Sequence, residues 1–87
     1  MMQMNETNDI LSKVREVFKT SFNIDPALVT IETNASQVAG WDSMGHLSLA
    51  SNLEQAFQIS LDVDEMMAME NVREIVRIIQ GKLGKGV

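Results

Sequence analysis

The chain contains no cysteine and only one histidine, His46, among its 87 residues. Without cysteine there is no disulfide framework, no thiolate metal site and no cysteine nucleophile, and one histidine excludes a histidine-rich metal centre. No apolar run approaches the roughly 20 residues of a membrane-spanning helix. The segment 1–8 lacks the basic and apolar regions of a secretion signal. We therefore expect a cytoplasmic protein without a metal ion and without membrane insertion.

Positive charge is missing from a long interval. No lysine or arginine occurs between Lys19 and Arg73, and the net charge is −5. Nucleic acid is a poor partner for such a surface, because its phosphates are bound by cations. A basic protein partner fits it, although a surface that only promotes solubility explains the composition equally well. The interval, which we expect to be almost free of neutralising cations, contains eight acidic residues: Asp25, Glu32, Asp42, Glu54, Asp62, Asp64, Glu65 and Glu70.

The length of the chain predicts one domain, residues 1–87, with room for a single modest core. Apolar residues recur at spacings of three and four, which is typical of amphipathic helices. They predict helices over about residues 8–21, 43–58, 63–69 and 72–83. The expected fold is an all-α four-helix bundle with a short third helix and a long first loop.

The helix ends carry recognisable caps. Asn8 is the expected N-cap of the first helix and Asp42 that of the second, which makes Ser43 the first helical residue. Asp62 and Glu65 have the spacing of a capping box at the third helix. The long connection between the first two helices contains too many apolar residues for a disordered linker. We expect it to pack onto the bundle, with at most one helical turn at Pro26.

The second helix contains the most informative residues. Its predicted core stripe consists of Met44, Leu47, Ala50, Leu53 and Phe57, widened by Leu49 and Ala56. Gly45 is unexpected there, since glycine costs roughly 1 kcal/mol against alanine inside a helix. Either it clears space for a protein that must reach Ser43, or the loop packs closely against it.

Three interpretations of Ser43 compete. In the first it is a nucleophile, because residues 40–45 weakly resemble a nucleophile elbow and His46 follows. That motif requires glycine where Trp41 stands, together with a sheet, an oxyanion hole and an acid to orient the histidine. In the second, Asp42 and Ser43 only start a helix. In the third, a hydroxyl at the positive end of the helix dipole carries an attached phosphate.

The third interpretation gains support from a family resemblance. Asp42-Ser43-Met44, followed by apolar residues at the spacings of Leu47, Leu49, Leu53 and Phe57, resembles the head of the second helix in acyl carrier proteins. Residues 29–36 resemble the first loop of that family, and residues 62–65 and the stretch from Asn71 resemble its third and fourth helices. The resemblance extends over about residues 6–84.

The resemblance implies a function and a set of partners. Ser43 would receive a 4′-phosphopantetheine arm from coenzyme A, and acyl or aminoacyl groups would be held on the arm as thioesters. Partners would be a phosphopantetheinyl transferase and acyl-loading or acyl-transferring enzymes with basic patches. A carrier that visits several enzymes is expected to be a monomer with no catalytic activity of its own. The residues expected to contact partners are Trp41, Asp42, Met44, Gly45, Leu47, Glu54, Asp62 and Glu65.

The sequence also departs from the family pattern. Fatty-acid carriers have several acidic residues along the second helix, whereas here only Glu54 remains on that face. The hypothesis is therefore a carrier dedicated to one specialised pathway rather than to housekeeping fatty-acid synthesis. The alternative is an unmodified helical adaptor that binds a basic protein through the same acidic face.

Several neighbouring residues have two interpretations each. His46 either approaches the phosphate or lies exposed or half-packed on the helix, and the second is favoured. Trp41 either anchors a partner or packs the loop against the bundle. Met66, Met67 and Met69 either fill the core or line an adaptable pocket for an acyl chain, and both roles are compatible.

Overall fold

The computed structural model describes residues 6–84, with side chains from Asp9 onward. Its helices are α1 (Glu6–Phe22), α2 (Ser43–Phe57), α3 (Val63–Ala68) and α4 (Val72–Gly84). The connection between α1 and α2 contains two 3-10 turns, Pro26–Leu28 and Ala35–Gln37. The predicted all-α arrangement with a short third helix is confirmed.

The helix starts follow the local capping chemistry, with one exception. Asp42 caps α2, and Asp62 and Glu65 form the predicted capping box of α3. The N-cap predicted for α1 was wrong, because the helix begins at Glu6 and Asn8 lies inside it.

The core lies where α1 meets α2 and α4, while α3 packs on α4. Phe18 is fully buried and makes edge-on contacts with Phe22 and Trp41, at centroid distances of 5.5 and 5.2 Å. Such aromatic contacts add to the stabilisation from burial itself. The other core side chains are Ile10, Val14, Val17, Val29, Val38, Leu49, Ala50, Leu53, Phe57, Leu61, Met69, Val72, Ile75, Val76 and Ile79.

Met44 and Leu47 do not belong to the core. Their exposed fractions are 75% and 62%, so the predicted stripe through them was wrong. The buried face of α2 instead begins at half-buried His46 and continues through Leu49, Ala50, Leu53 and Phe57. The first buried position is occupied by a polar residue, His46, so the apolar spacing did not reveal it. The predicted stripe therefore included the exposed Met44 and Leu47 instead.

The long connection between α1 and α2 is ordered and packed, as predicted, but it contains a second 3-10 turn, Ala35–Gln37, in addition to the one expected at Pro26. The Arg15 side chain donates from Nε to the carbonyl oxygen of Val29 at 2.7 Å. The backbone N–H of Val72 donates to the carbonyl oxygen of Thr33 at 2.9 Å, beside a bridge between Asn34 and Asn71. The first bond holds the connection against α1, and the second holds it against the start of α4.

The acidic interval is partly neutralised, contrary to expectation. Arg73 lies 3.2 Å from Glu32, and Lys82 lies 2.8 Å from Glu65. Cations that are distant in sequence therefore return to the interval because α4 packs beside it. Among residues 6–84 no helix is both long and apolar enough to cross a lipid bilayer.

Candidate functional site

Ser43 occupies the first position of α2 and is exposed. The helix starts here because the Asp42 carboxylate accepts a hydrogen bond from the Gly45 N–H at 2.9 Å. The carbonyl oxygen of Asp42 accepts the first helical bond, from the His46 N–H at 2.7 Å. Ser43 therefore has a fixed backbone at the positive end of a 15-residue helix.

Gly45 permits a very close approach of the preceding loop. A Cβ atom at this position would overlap the carbonyl oxygen of Gly40 and would lie 3.0 Å from the Phe22 ring. Gly40 itself has a φ of +93°, a conformation that favours glycine. Close packing thus accounts for Gly45, and the loop presses directly on the helical turn that contains Ser43.

His46 joins the loop, α2 and α3. The Trp41 indole donates from Nε1 to His46 Nδ1 at 2.8 Å, and the two rings stack with an angle of 7° between them. The other ring nitrogen, Nε2, lies 2.7 Å from the carbonyl oxygen of Met66. An indole nitrogen can only donate and a carbonyl oxygen can only accept, so the neutral ring has its hydrogen on Nε2.

This bonding removes His46 as a general base for Ser43. Both of its ring nitrogens have partners other than the serine hydroxyl. Within residues 6–84 the structure also shows no hydrogen bond to Ser43 Oγ and no group of side chains able to hold a metal ion. The geometry therefore does not support the hydrolase interpretation, since nucleophile activation needs an adjacent base.

A groove of about 630 Å³ begins at Ser43. Leu47 of α2 and Met67 of α3 both line it, and so does the buried Trp41. The groove is open, mostly apolar and continuous with the serine. Its lining residues are Ala35, Trp41, Asp42, Ser43, His46, Leu47, Met67, Met69 and Glu70.

The structure brings only some of the predicted site residues together. Trp41, Asp42 and Leu47 line the groove with Ser43, and Met44 is exposed beside them. The remaining predicted residues are Gly45, under the loop, and Glu54, Asp62 and Glu65, outside the groove lining.

All three acidic residues outside the groove lining have structural partners. The Asp62 carboxylate accepts a hydrogen bond from the Glu65 N–H at 2.8 Å. Glu54 is half-buried, and its carboxylate accepts a hydrogen bond from the Leu61 N–H at 2.9 Å. Hydrogen bonds from the Lys82 ammonium and from the Asp62 N–H hold the pKa of Glu65 below its ordinary value of about 4.5. Contact of these side chains with a partner stays a prediction.

Ala35 and Glu70 line the groove, although the sequence did not predict them as site residues. Both line the groove because the Asn34–Asn71 bridge brings the connection before α2 next to the segment before α4. That pairing spans 37 residues of sequence, and no local pattern marks it.

Met67 and Met69 have different surroundings: Met69 is fully buried, whereas Met67 is 70% exposed. Both methionines line the groove and Met69 also fills the core, so the two interpretations are compatible.

Comparison with known proteins agrees with this arrangement. Residues 12–79 match the family described as "Phosphopantetheine attachment site". The chain is 30% identical over 80 residues to "Acyl carrier protein 2" of Ralstonia nicotianae. The aligned residues cover 92% of this chain and 98% of that protein. It is 28% identical over 81 residues to "Acyl carrier protein" of Thermotoga maritima, with 93% and 100% covered. It is also 34% identical over 73 residues to "Non-reducing polyketide synthase pkdA" of Emericella nidulans, with 83% and 3% covered.

The chain therefore belongs to the phosphopantetheine-binding carriers, the family of the acyl carrier proteins. It contains the attachment-site region of that family, and it is a carrier rather than an enzyme. The family resemblance drawn from the sequence is confirmed.

Proposed function

We propose that Ser43 is the attachment point, and that the chain holds acyl or aminoacyl groups as thioesters on a 4′-phosphopantetheine arm derived from coenzyme A. The observation that carries the proposal is the exposed Ser43 at the capped start of α2, open to an apolar groove. When attached, the arm supplies the thiol on which the group is held. An extended arm, with methyl and methylene groups between its polar amides, is compatible with a groove of this kind.

The residues around Ser43 have separate tasks in this proposal. The first backbone N–H groups of α2 and the helix dipole favour a phosphodiester on Ser43 Oγ. Asp42 fixes the start of the helix through its bond to the Gly45 N–H. Because both nitrogens of His46 are already bonded, a transferase has to supply the base that takes the proton from Ser43.

The test is enzymatic loading followed by intact mass. The purified chain is incubated with coenzyme A, magnesium and a broad-specificity phosphopantetheinyl transferase. We expect a gain of one phosphopantetheine by the parent and by Ser48→Ala, and no gain by Ser43→Ala. Ser48 is a matched control, because it is an exposed serine on the same helix. No gain by a folded parent would favour the unmodified adaptor.

We further propose that the carrier serves a specialised pathway. The exposed residues along the middle of α2 are uncharged: Ser48, Ser51 and Gln55. Basic enzymes that recognise a row of carboxylates would find none here. A titration against fatty-acid synthase enzymes tests this, and we expect weak binding. Tight, salt-sensitive binding like that of an ordinary fatty-acid carrier would contradict it.

The cytoplasmic location and the single domain over residues 1–87 stay proposals as well. Fractionation of the source cells checks the first. Limited proteolysis checks the second, since one domain should lose only short terminal segments before it is cut internally.

A further inference from the structure

Three side chains lie between the groove and the core of the protein. Trp41 and Met69 belong to the buried core and also line the groove, and half-buried His46 lines it with them. The same groove includes Ser43. We refer to Trp41, His46 and Met69 as the core-side lining. A group attached through Ser43 would meet these side chains before it could enter the core.

Hydrogen bonds tie the core-side lining to its neighbours. The Trp41 indole donates to His46 Nδ1 at 2.8 Å, and His46 Nε2 donates to the carbonyl oxygen of Met66 at 2.7 Å. His46 lies on α2 and Met66 on α3, while Trp41 lies in the connection before α2. A single imidazole ring therefore joins three segments of the chain to one another.

Aromatic contacts also hold Trp41 from the side of α1. Its ring lies edge-on to the fully buried Phe18 at a centroid distance of 5.2 Å, and it stacks with Phe22 at 6.1 Å. Met69 is fully buried as well. Because protein interiors are close-packed, a carried chain could enter the core only by displacing these side chains.

Displacement of His46 would break a satisfied polar network. Within the described part of the chain, no buried side-chain nitrogen or oxygen is without a hydrogen-bond partner. Moving the imidazole would take away the partner of the Trp41 N–H and of the Met66 carbonyl oxygen. An unsatisfied buried polar group costs more than the burial of one methylene gains. A carried group with few methylenes therefore cannot compensate for the opening.

We propose that the core-side lining keeps the carried group out of the core, and that the chain is suited to short or polar acyl groups, which stay in the open groove. A long alkyl chain held there would leave much of its apolar surface in water. The inference rests on the proposed function and names the class of group that is carried. His46 and Trp41 are the residues that determine this specificity.

Loading with acyl groups of increasing length tests the inference. The parent is loaded by a phosphopantetheinyl transferase from butyryl-, octanoyl- and dodecanoyl-coenzyme A. For each form we measure Tm and the rate at which hydroxylamine cleaves the thioester, followed by intact mass. We expect Tm to vary by less than about 1 °C and the rate by less than about twofold across the three lengths, because an excluded chain adds no buried contact.

His46→Ala is the variant that opens the core-side lining, since it removes the imidazole ring and both of its hydrogen bonds. We expect its dodecanoyl form to melt at least about 3 °C above its butyryl form and to be cleaved at least about fivefold more slowly, because a buried chain stabilises the fold and shields the thioester. A purely structural role of His46 would lower the Tm of all three forms equally.

Two control variants accompany this change. His46→Gln retains an oxygen that can accept from the Trp41 indole and a nitrogen that can donate to the Met66 carbonyl oxygen, so it should behave like the parent. Ser48→Ala changes an exposed residue of α2 outside the groove lining and should also show no dependence on length. Circular dichroism of every variant shows whether the fold is retained.

Trp41→Phe is a milder second variant, which keeps the test decisive if His46→Ala does not fold. It retains an aromatic ring beside Phe18 but removes the N–H that donates to His46. We expect the same dependence on length as in His46→Ala, with a smaller amplitude, because one of the two hydrogen bonds remains.

The outcomes are distinguishable. No loading of the parent contradicts the proposed function itself. Loading of the parent, with a Tm and a thioester protection that rise with chain length, overturns the exclusion from the core. Independence of length in the parent and in every folded variant alike overturns the role given to His46 and Trp41.

Discussion

Gly45 lies where the loop and the second helix make their closest contact. Its position leaves no space for a side chain, because the Gly40 carbonyl oxygen and the Phe22 ring occupy it. We expect Gly45→Ala to lower the free energy of unfolding by about 2 kcal/mol, since overpacking outweighs the gain in helix propensity. Urea denaturation followed by circular dichroism measures this.

Gly81→Ala is the control for that change. It makes the same substitution inside α4, where no atom lies within 4 Å of the new methyl group. It should raise the free energy of unfolding by up to about 1 kcal/mol through helix propensity alone. Equal stability of the two variants would show that the loop does not press on Gly45 as described.

His46 is expected to stabilise the site by hydrogen bonding as well as packing. His46→Phe keeps an aromatic ring against Trp41 but leaves the indole N–H and the Met66 carbonyl oxygen without this partner. We expect a loss of about 1–2 kcal/mol in the free energy of unfolding, the usual cost of unsatisfied polar groups. Ser48→Ala on the same helix should stay within about 0.5 kcal/mol. A His46→Phe protein as stable as the parent would mean that the two bonds contribute nothing.

At the scale of elements, α3 is too short to be stable alone and depends on its connections. It has six residues, a capping box and the ion pair from Glu65 to Lys82 of α4. Isolated helices of this length do not form in water. The groove wall formed by Met67 is therefore only as stable as these links and the His46 bond to Met66.

The pair between Glu65 and Lys82 should make this link sensitive to acid. The pKa of Glu65 is lower in the folded chain than its ordinary value of about 4.5. Its stabilisation is therefore fully present above that value and is lost as the pH falls through the lower folded pKa. We expect the coupling energy from a double-mutant cycle with Glu65→Gln and Lys82→Met to be favourable at pH 6 and to decrease as the pH is lowered through and below about 4.5. A coupling energy that does not change with pH would contradict this assignment.

The elements also show what the sequence could predict. Helix positions and caps depend on local spacing, so α2, α3 and α4 were located to within a residue. The exposure of Met44 and Leu47 was not predicted, because half-buried His46 takes an apolar position in the stripe. Glu70 and Ala35 were missed, because the Asn34–Asn71 bridge that brings them together has no local signal. The position of Ser43 at the start of α2 was predicted correctly, because its cap, Asp42, is adjacent in sequence.

At the scale of the whole molecule, charge is distributed unequally. Asp42 and Glu70 line the groove surface that includes Ser43, whereas Lys13, Arg15 and Lys19 lie on α1. A two-fold dimer formed through this surface would place like charges against one another. We therefore expect a monomer of 9.7 kDa at physiological salt, measured by sedimentation equilibrium. A dimer that Leu47→Ser dissociates would contradict this and would show that the surface binds its own copy.

Trp41 is the single tryptophan of the chain, and it lines the groove, stacked on His46. Its ultraviolet emission therefore arises from the groove that also includes Ser43, where we propose that the arm is attached. Any event that displaces the histidine or excludes water from the indole should alter that emission. If Ser43 carries the arm as proposed, this tryptophan serves as an intrinsic optical reporter, with which loading and unloading can be followed continuously without an attached dye.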